Sequence, residues 1–296
     1  MNLIQLYSLG EKNIYGELWM IVGKKLRLRR LFPRGRSIVI AIDHGSYWGH
    51  ISGLEDPIKV VKRISETDAD AIAATPSTLI RVADAVGDLA IVARLDSSVT
   101  VYDEDMENDM LISTVEHAVS IGADAAMVMC YFGGARSSEQ QRKLGMLATE
   151  CTKFGLPLIV EALPAKVIDY HFKRRGARER SLTDFITLED IMVVSRVSAE
   201  LGADVIKTYY LGNVNEYRKV VENACVPILV LGGPKTKTTE EFLKAVKDAM
   251  EAGAKGIVVG RNVWQRENVK VILKALSAIV HEDKDVDYAK KILQKG

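Results

Sequence analysis

Eight short apolar runs recur along the chain: Ser37–Ile42, Asp70–Thr75, Leu89–Leu95, Asp124–Met129, Leu156–Ala162, Asp204–Tyr209, Val226–Leu231 and Gly256–Gly260. Most are continuous rather than alternating, the pattern of strands covered on both faces. Between them lie segments with apolar residues at three- and four-residue spacing, the mark of amphipathic helices. IKVVKRISE, MLISTVEHAVSI, RKLGMLATECTKF, LEDIMVVSRVSAEL and EEFLKAVKDAMEA are the clearest, and STLIRVADAV predicts a brief helix between the second and third runs. Eight strands alternating with helices predict an α/β fold, a (β/α)8 TIM barrel. A doubly wound open sheet is the competitor, but no GxGxxG follows the first run and eight units suit closure.

The units share a local grammar. SIGADAAMVM (120–129), ELGADVIKTY (200–209) and EAGAKGIVVG (251–260) each end a helical pattern at or near a glycine, pass two or three small or polar residues, and enter a strand. SETDADAIAAT (65–75) is a looser copy. Glycine closes helices there because it adopts the left-handed conformation without a Cβ penalty. The division expected is an N-terminal extension over 1–36, a barrel over 37–285 and a C-terminal helix or tail over 286–296.

Composition narrows the function classes. The chain has 296 residues, a length that suits one barrel, and a net charge of +1, so bulk electrostatics recruit no nucleic acid. No apolar run reaches membrane-spanning length and no signal peptide is legible, so no membrane partner and a cytoplasmic location are expected. Cys130, Cys151 and Cys225 each sit in or beside an apolar run and predict buried thiols. The basic stretch 21–36 predicts a helix with Leu26, Leu28 and Leu31 on the domain and Lys24, Lys25, Arg27, Arg29 and Arg30 in water.

In such a barrel the chemistry lies at the C-terminal strand ends. Asp43-His44, Arg94-Leu95-Asp96, Cys130-Tyr131, Glu161, Lys207 with Tyr209, Gly232-Gly233-Pro234-Lys235 and Gly260-Arg261 all fall there. Lys207 is the unusual one, a charge inside an apolar strand on the face of Val205 and Tyr209. Burial disfavours the charged form of an amine. A neutral amine attacks a ketone, and the resulting iminium is an electron sink for C–C cleavage. An ion pair with Asp43 or Glu161 is the structural reading of the same residue. Gly232, Gly233, Lys235, Gly260 and Arg261, after the last two strands, suit a phosphate. Asp43 is a candidate proton carrier. Five histidines without an HxH or HxxxH pair predict no metal site. The basic stretch 173–180 reads as a lid or a solvated loop, and the acidic run YDEDMEND (102–109) as a solvated loop leading into a helix.

IAIDHG, VIKTYY, VLGGPK and GIVVGRNVWQ together resemble the class I, Schiff-base aldolases of the DeoC/LacD superfamily. The nearest branches are the archaeal-type fructose-bisphosphate aldolases and the thiolase of phosphorylated autoinducer-2, with aminodideoxyheptulosonate synthases as relatives. The resemblance spans roughly residues 20 to 285. It implies Lys207 as the Schiff-base lysine, Asp43 as an active-site acid/base, and phosphate held by Gly232, Gly233, Lys235, Gly260 and Arg261. It also implies a cytoplasmic homo-oligomer, often a decamer. One departure stands out: Leu163 occupies the place of the fructose-bisphosphate branch's acid/base tyrosine. Glu161 is a substitute on the same face, and His44, Arg94 and Tyr209 are accessory candidates.

The expected function is cleavage or formation of a C–C bond in a phosphorylated ketose or diketone, with dihydroxyacetone phosphate as one partner. The lysine itself does the covalent work, so no cofactor is expected. Coenzyme A enters only as co-substrate in the thiolase alternative. A pyridoxal-phosphate enzyme and a non-catalytic sugar-phosphate sensor are the readings from other classes.

Overall fold

The computed structural model describes residues 22–97, 99–171, 181–232 and 238–295. Gly233, Lys235 and the basic stretch 173–180 lie outside them. The barrel strands are β1 (Ser37–Ala41), β2 (Ala71–Ala74), β3 (Ala90–Arg94), β4 (Ala125–Phe132), β5 (Leu158–Pro164), β6 (Val205–Thr208), β7 (Ile228–Leu231) and β8 (Gly256–Val259). They are all parallel and close in chain order, with β8 returning to β1. This is the (β/α)8 barrel that the eight apolar runs predict.

Strand alternation divides each strand between two cores. Ile38, Ile72, Val160, Ile206 and Ile257 belong to the core shared with the surrounding helices. Val39, Ala41, Ala71, Ala73, Ala90, Val92, Ala125, Met127, Ile159, Val205, Leu229 and Val258 form the inner one. Alanines leave space at the N-terminal end, and Leu28, Leu31 and Phe32 join the same inner cluster from helix α1 (Val22–Leu31) and the residue after it. The extension therefore closes the barrel floor.

The repeated small-residue turns also have an electrostatic purpose. Asp70 accepts from Ile38 N at 2.7 Å, Asp124 from Ile91 N at 2.9 Å and Asp204 from Leu158 N at 2.8 Å. Each aspartate, just before an even-numbered strand, satisfies the neighbouring strand's amide. Each also meets a cation from the extension: Arg34 at 3.4 Å, Arg30 at 2.8 Å and Lys24 at 2.7 Å respectively. This corrects two expectations for the basic helix. Lys24 is buried at 7% exposure, because Asp204 draws it beneath the barrel, whereas Leu26 points outward at 54%.

Other boundaries differ for local reasons. β4 and β5 run three and two residues past their apolar runs, pairing Cys130 with Ala162, Tyr131 with Leu163 and Phe132 with Pro164. The exposed Met110–Leu111 pairs antiparallel with the buried Asp96–Ser97, and the helix expected across this region starts only at Val115, behind its Thr114 cap. The acidic run thus leads into a strand rather than a helix. Cys130 and Cys151 are buried, but Cys225 is exposed, at a helix end with φ 61°. The helix Val286–Lys295 packs on Val269–Val280 and buries Ala289. No helix among the described residues is long and apolar enough to cross a membrane.

Candidate active site

The inner alternation carries Val39 and Ala41 on to Asp43, Ala90 and Val92 to Arg94, Ile159 to Glu161, and Val205 to Lys207. Aliphatic below and charged above, these four strands set ionisable groups at the C-terminal end of the barrel. They line a cavity of about 90 Å³. His44, Tyr209, Gly232, Gly260 and Arg261 line it too. Every sequence-predicted site residue that the structure describes therefore converges on one space.

Lys207 Nζ lies 2.8 Å from Glu161 Oε1. The other oxygen, Oε2, is 2.7 Å from Arg94 Nη1, and the same nitrogen reaches Asp43 Oδ2 at 3.3 Å. Arg94 Nε is fixed by Asp96 Oδ1 at 2.8 Å. Asp96 Oδ2 accepts from Met129 N and from Lys143 Nζ, each at 2.8 Å. Charges alternate along this path, from Lys143 through Asp96, Arg94 and Glu161 to Lys207. Asp43 pairs with Arg94 and not with Lys207, so of the two ion-pair partners considered for the lysine, Glu161 is the one in place.

These contacts set the ionisation states. Burial alone would raise the Glu161 carboxyl, but Lys207 and Arg94 outweigh it and lower it to about 2. His44 is lowered to about 4, chiefly by burial; Asp43 opposes the shift, and Arg261 and Lys207 reinforce it. At neutral pH its contact with Asp43, 3.4 Å from Nδ1, is therefore not an ion pair. His44 packs edge-on against Trp264, whose Nε1 donates to Ala41 O at 2.9 Å. A stability slope follows. The folded His44 binds its proton less readily than the unfolded one, so acidification from pH 6.5 to pH 4 favours unfolding. The loss expected is up to about 3 kcal/mol. Denaturant midpoints across this window should fall more steeply for the wild type than for His44→Gln.

The glycines are set by close approach. A Cβ on Gly260 would stand 2.6 Å from His44 Cε1 and 2.9 Å from Ala41 O, and one on Gly232 would stand 2.8 Å from Val259 Cγ1. Among the described residues, the buried Nε of Arg261 beside them has no hydrogen-bond partner. No group of three or more His, Cys, Asp or Glu among the described residues is placed to hold a metal ion.

The chain belongs to the DeoC/LacD aldolase family. The family model matches residues 37–266, the whole barrel. An uncharacterized aldolase of Saccharolobus solfataricus is 37% identical over 93% of this chain and 100% of its own length. The 2-amino-3,7-dideoxy-D-threo-hept-6-ulosonate synthase of Halobacterium salinarum is 31% identical over 90% of this chain and 95% of its own. An archaeal fructose-1,6-bisphosphate aldolase, solved with its catalytic lysine bound to the carbinolamine intermediate, superposes with a TM-score of 0.75. It is 31% identical over 87% of this chain and 99% of that one. This aldolase is accordingly a class I, Schiff-base carbon–carbon lyase.

Other groups in the aldolase's site escaped the sequence reading. Tyr47 and Trp48, on the short helix after β1, and Met129 on β4 line the cavity beside Tyr131, which falls at a strand end as expected. Met129 had a signal, the inward alternation Ala125, Met127, Met129, Tyr131. Lys143 had none, because it reaches Asp96 from the helix Ser137–Phe154 outside the barrel.

Proposed function

We propose that this aldolase forms a Schiff base through Lys207 with a phosphorylated ketose or diketone and breaks or makes the adjacent C–C bond, with dihydroxyacetone phosphate as one partner. The observation that carries the reading is Lys207, buried and 2.8 Å from Glu161, in a cavity that Arg261 also lines. The lysine supplies the covalent electrophile, so the reaction uses no dissociable cofactor. Arg261, with the close-packed backbone at Gly232 and Gly260, receives the phosphate. Gly233 and Lys235, outside the described residues, belong to the same proposed anion site.

Before attack, Lys207 sheds a proton. The free amine adds to the ketone, water leaves, and the iminium draws the electrons of the breaking bond. Asp43 and Glu161 are fixed negative charges facing the developing cation, which lowers its cost in a buried site. The activities named for the relatives, on fructose 1,6-bisphosphate and in aminodideoxyheptulosonate synthesis, support the phosphorylated or sugar-like substrate class.

Borohydride reduction in the presence of dihydroxyacetone phosphate tests the proposal. A reduced adduct on Lys207, mapped by peptide mass spectrometry, is the expected result. A folded protein whose Lys207 stays unmodified with both this compound and fructose 1,6-bisphosphate would overturn it.

A further inference from the structure

We infer that Tyr131 is a further catalytic residue of this aldolase, the acid that expels water from the lysine adduct and the base that then receives the substrate's hydroxyl proton. The inference rests on the Schiff-base reading of Lys207.

The reaction needs one group that first gives a proton and then takes one. The carboxylates are poorly suited to giving. Glu161 has one oxygen on Lys207 at 2.8 Å and the other on Arg94 at 2.7 Å, and these cations hold it ionised. Asp96 is fully occupied by Arg94, Lys143 and the Met129 amide. Asp43 faces the same Arg94 nitrogen at 3.3 Å. A protonated neutral group is required, and phenols from Tyr47, Tyr131 and Tyr209 line the cavity.

Tyr131 is the phenol held best. Tyr47 stands on a four-residue helix at the rim, and Tyr209 continues past the end of β6. Tyr131 lies within β4, paired with Leu163, two residues beyond the pairing of Met129 with Glu161. That same level joins Glu161 to Lys207, so unbroken strand ladders connect the phenol to the lysine. The ring is 1% exposed. A buried tyrosine hydroxyl normally has a hydrogen-bond partner. Leu163, across the ladder, is hydrocarbon and offers it none. Tyr131 lines the cavity, and a substrate bound there is the partner the inference gives its hydroxyl.

The proton balance closes. Tyr131 gives its proton to the hydroxyl of the carbinolamine, the C–O bond breaks, water departs, and the nitrogen lone pair forms the iminium. The phenolate then removes the proton from the hydroxyl two carbons from the iminium carbon. The O–H electrons form the aldehyde C=O, the C–C bond electrons form the enamine, and the nitrogen charge is neutralised. Tyr131 ends as it began. In the empty site, burial and the charges of Asp109 and Glu161 keep the phenol protonated. The iminium supplies the opposite charge when the phenolate forms.

The time course of borohydride trapping with dihydroxyacetone phosphate tests the assignment. Tyr131→Phe is expected to reach the wild-type adduct yield on Lys207, with the same unfolding midpoint, but at least ~10²-fold more slowly. Tyr102→Phe, at an exposed phenol outside the cavity, is expected to trap at the wild-type rate. A Tyr131→Phe protein that traps at the wild-type rate would overturn the assignment and leave the Schiff-base reading standing. A wild-type protein that yields no adduct would overturn both.

Discussion

Lys207→Met is expected to leave a folded protein with no trappable adduct and turnover reduced by ~10⁴-fold or more, as for removal of other covalent nucleophiles. The size follows from the chemistry. Without the amine there is no iminium, and no other described lysine lines the cavity. Methionine keeps a similar length and fills the same buried position without strain. Glu161 keeps its 2.7 Å bond to Arg94, so the carboxylate is not stranded. The comparison to make is turnover beside the unfolding midpoint. A large loss of turnover with a near-native midpoint assigns the lysine to chemistry. Residual trapping at another residue, with turnover retained, would remove Lys207 from its proposed role.

Arg94→Met is expected to be the most destabilising single change in the site, at about 3–5 kcal/mol. Arg94 is the shared cation of three buried carboxylates, at 2.8 Å from Asp96, 2.7 Å from Glu161 and 3.3 Å from Asp43. Removing it leaves those acids facing one another across a low-dielectric space, with Lys143 and Lys207 at the two ends. The loss should depend on pH. In the wild type the stability tied to Glu161 is fully present above about pH 4.5, its unfolded range, and is lost as pH falls through about 2. In the variant the folded carboxyl binds its proton more readily. The gap between the two proteins should therefore be widest near neutrality and narrow on acidification. Denaturant midpoints at pH 7, 5 and 3 would show this, and a pH-independent gap would mean that lost packing, not charge, dominates.

Much of this was legible in sequence because barrel strands impose strict alternation. Val205, Lys207 and Tyr209 share a face, so the lysine's inward direction needed no structure, and the position of the strand ends placed Asp43, Arg94 and Glu161 beside it. Pairing was harder to read. Glu161 and Asp43 were both candidate partners for Lys207, and only adjacent strands in register settle it for Glu161. Asp43 instead meets Arg94 from β3 across the barrel mouth. Lys143 and Lys24 were illegible for a different reason. A helix pattern shows which face is polar, but not that a buried aspartate from elsewhere waits beneath one of its lysines. The length of β4 was missed because Cys130 and Tyr131 interrupt a simple apolar run, although both are fully buried in the fold.

That extra length gives the site a slant. Beyond the level that joins Glu161 to Lys207, the β4–β5 ladder continues for three more residue pairs, to Phe132 and Pro164. On the other flank, β6 and β7 pair only once more, at Thr208 and Val230. Two further residues of strand add about 7 Å of wall on one side. The mouth is therefore a sloping one, high along β4 and β5 and low where Gly232, Gly260 and Arg261 stand. A molecule held at Lys207, as proposed, would lean away from the taller wall and toward the guanidinium. In that way the unequal height of the staves would orient a ligand before any side chain made a specific contact.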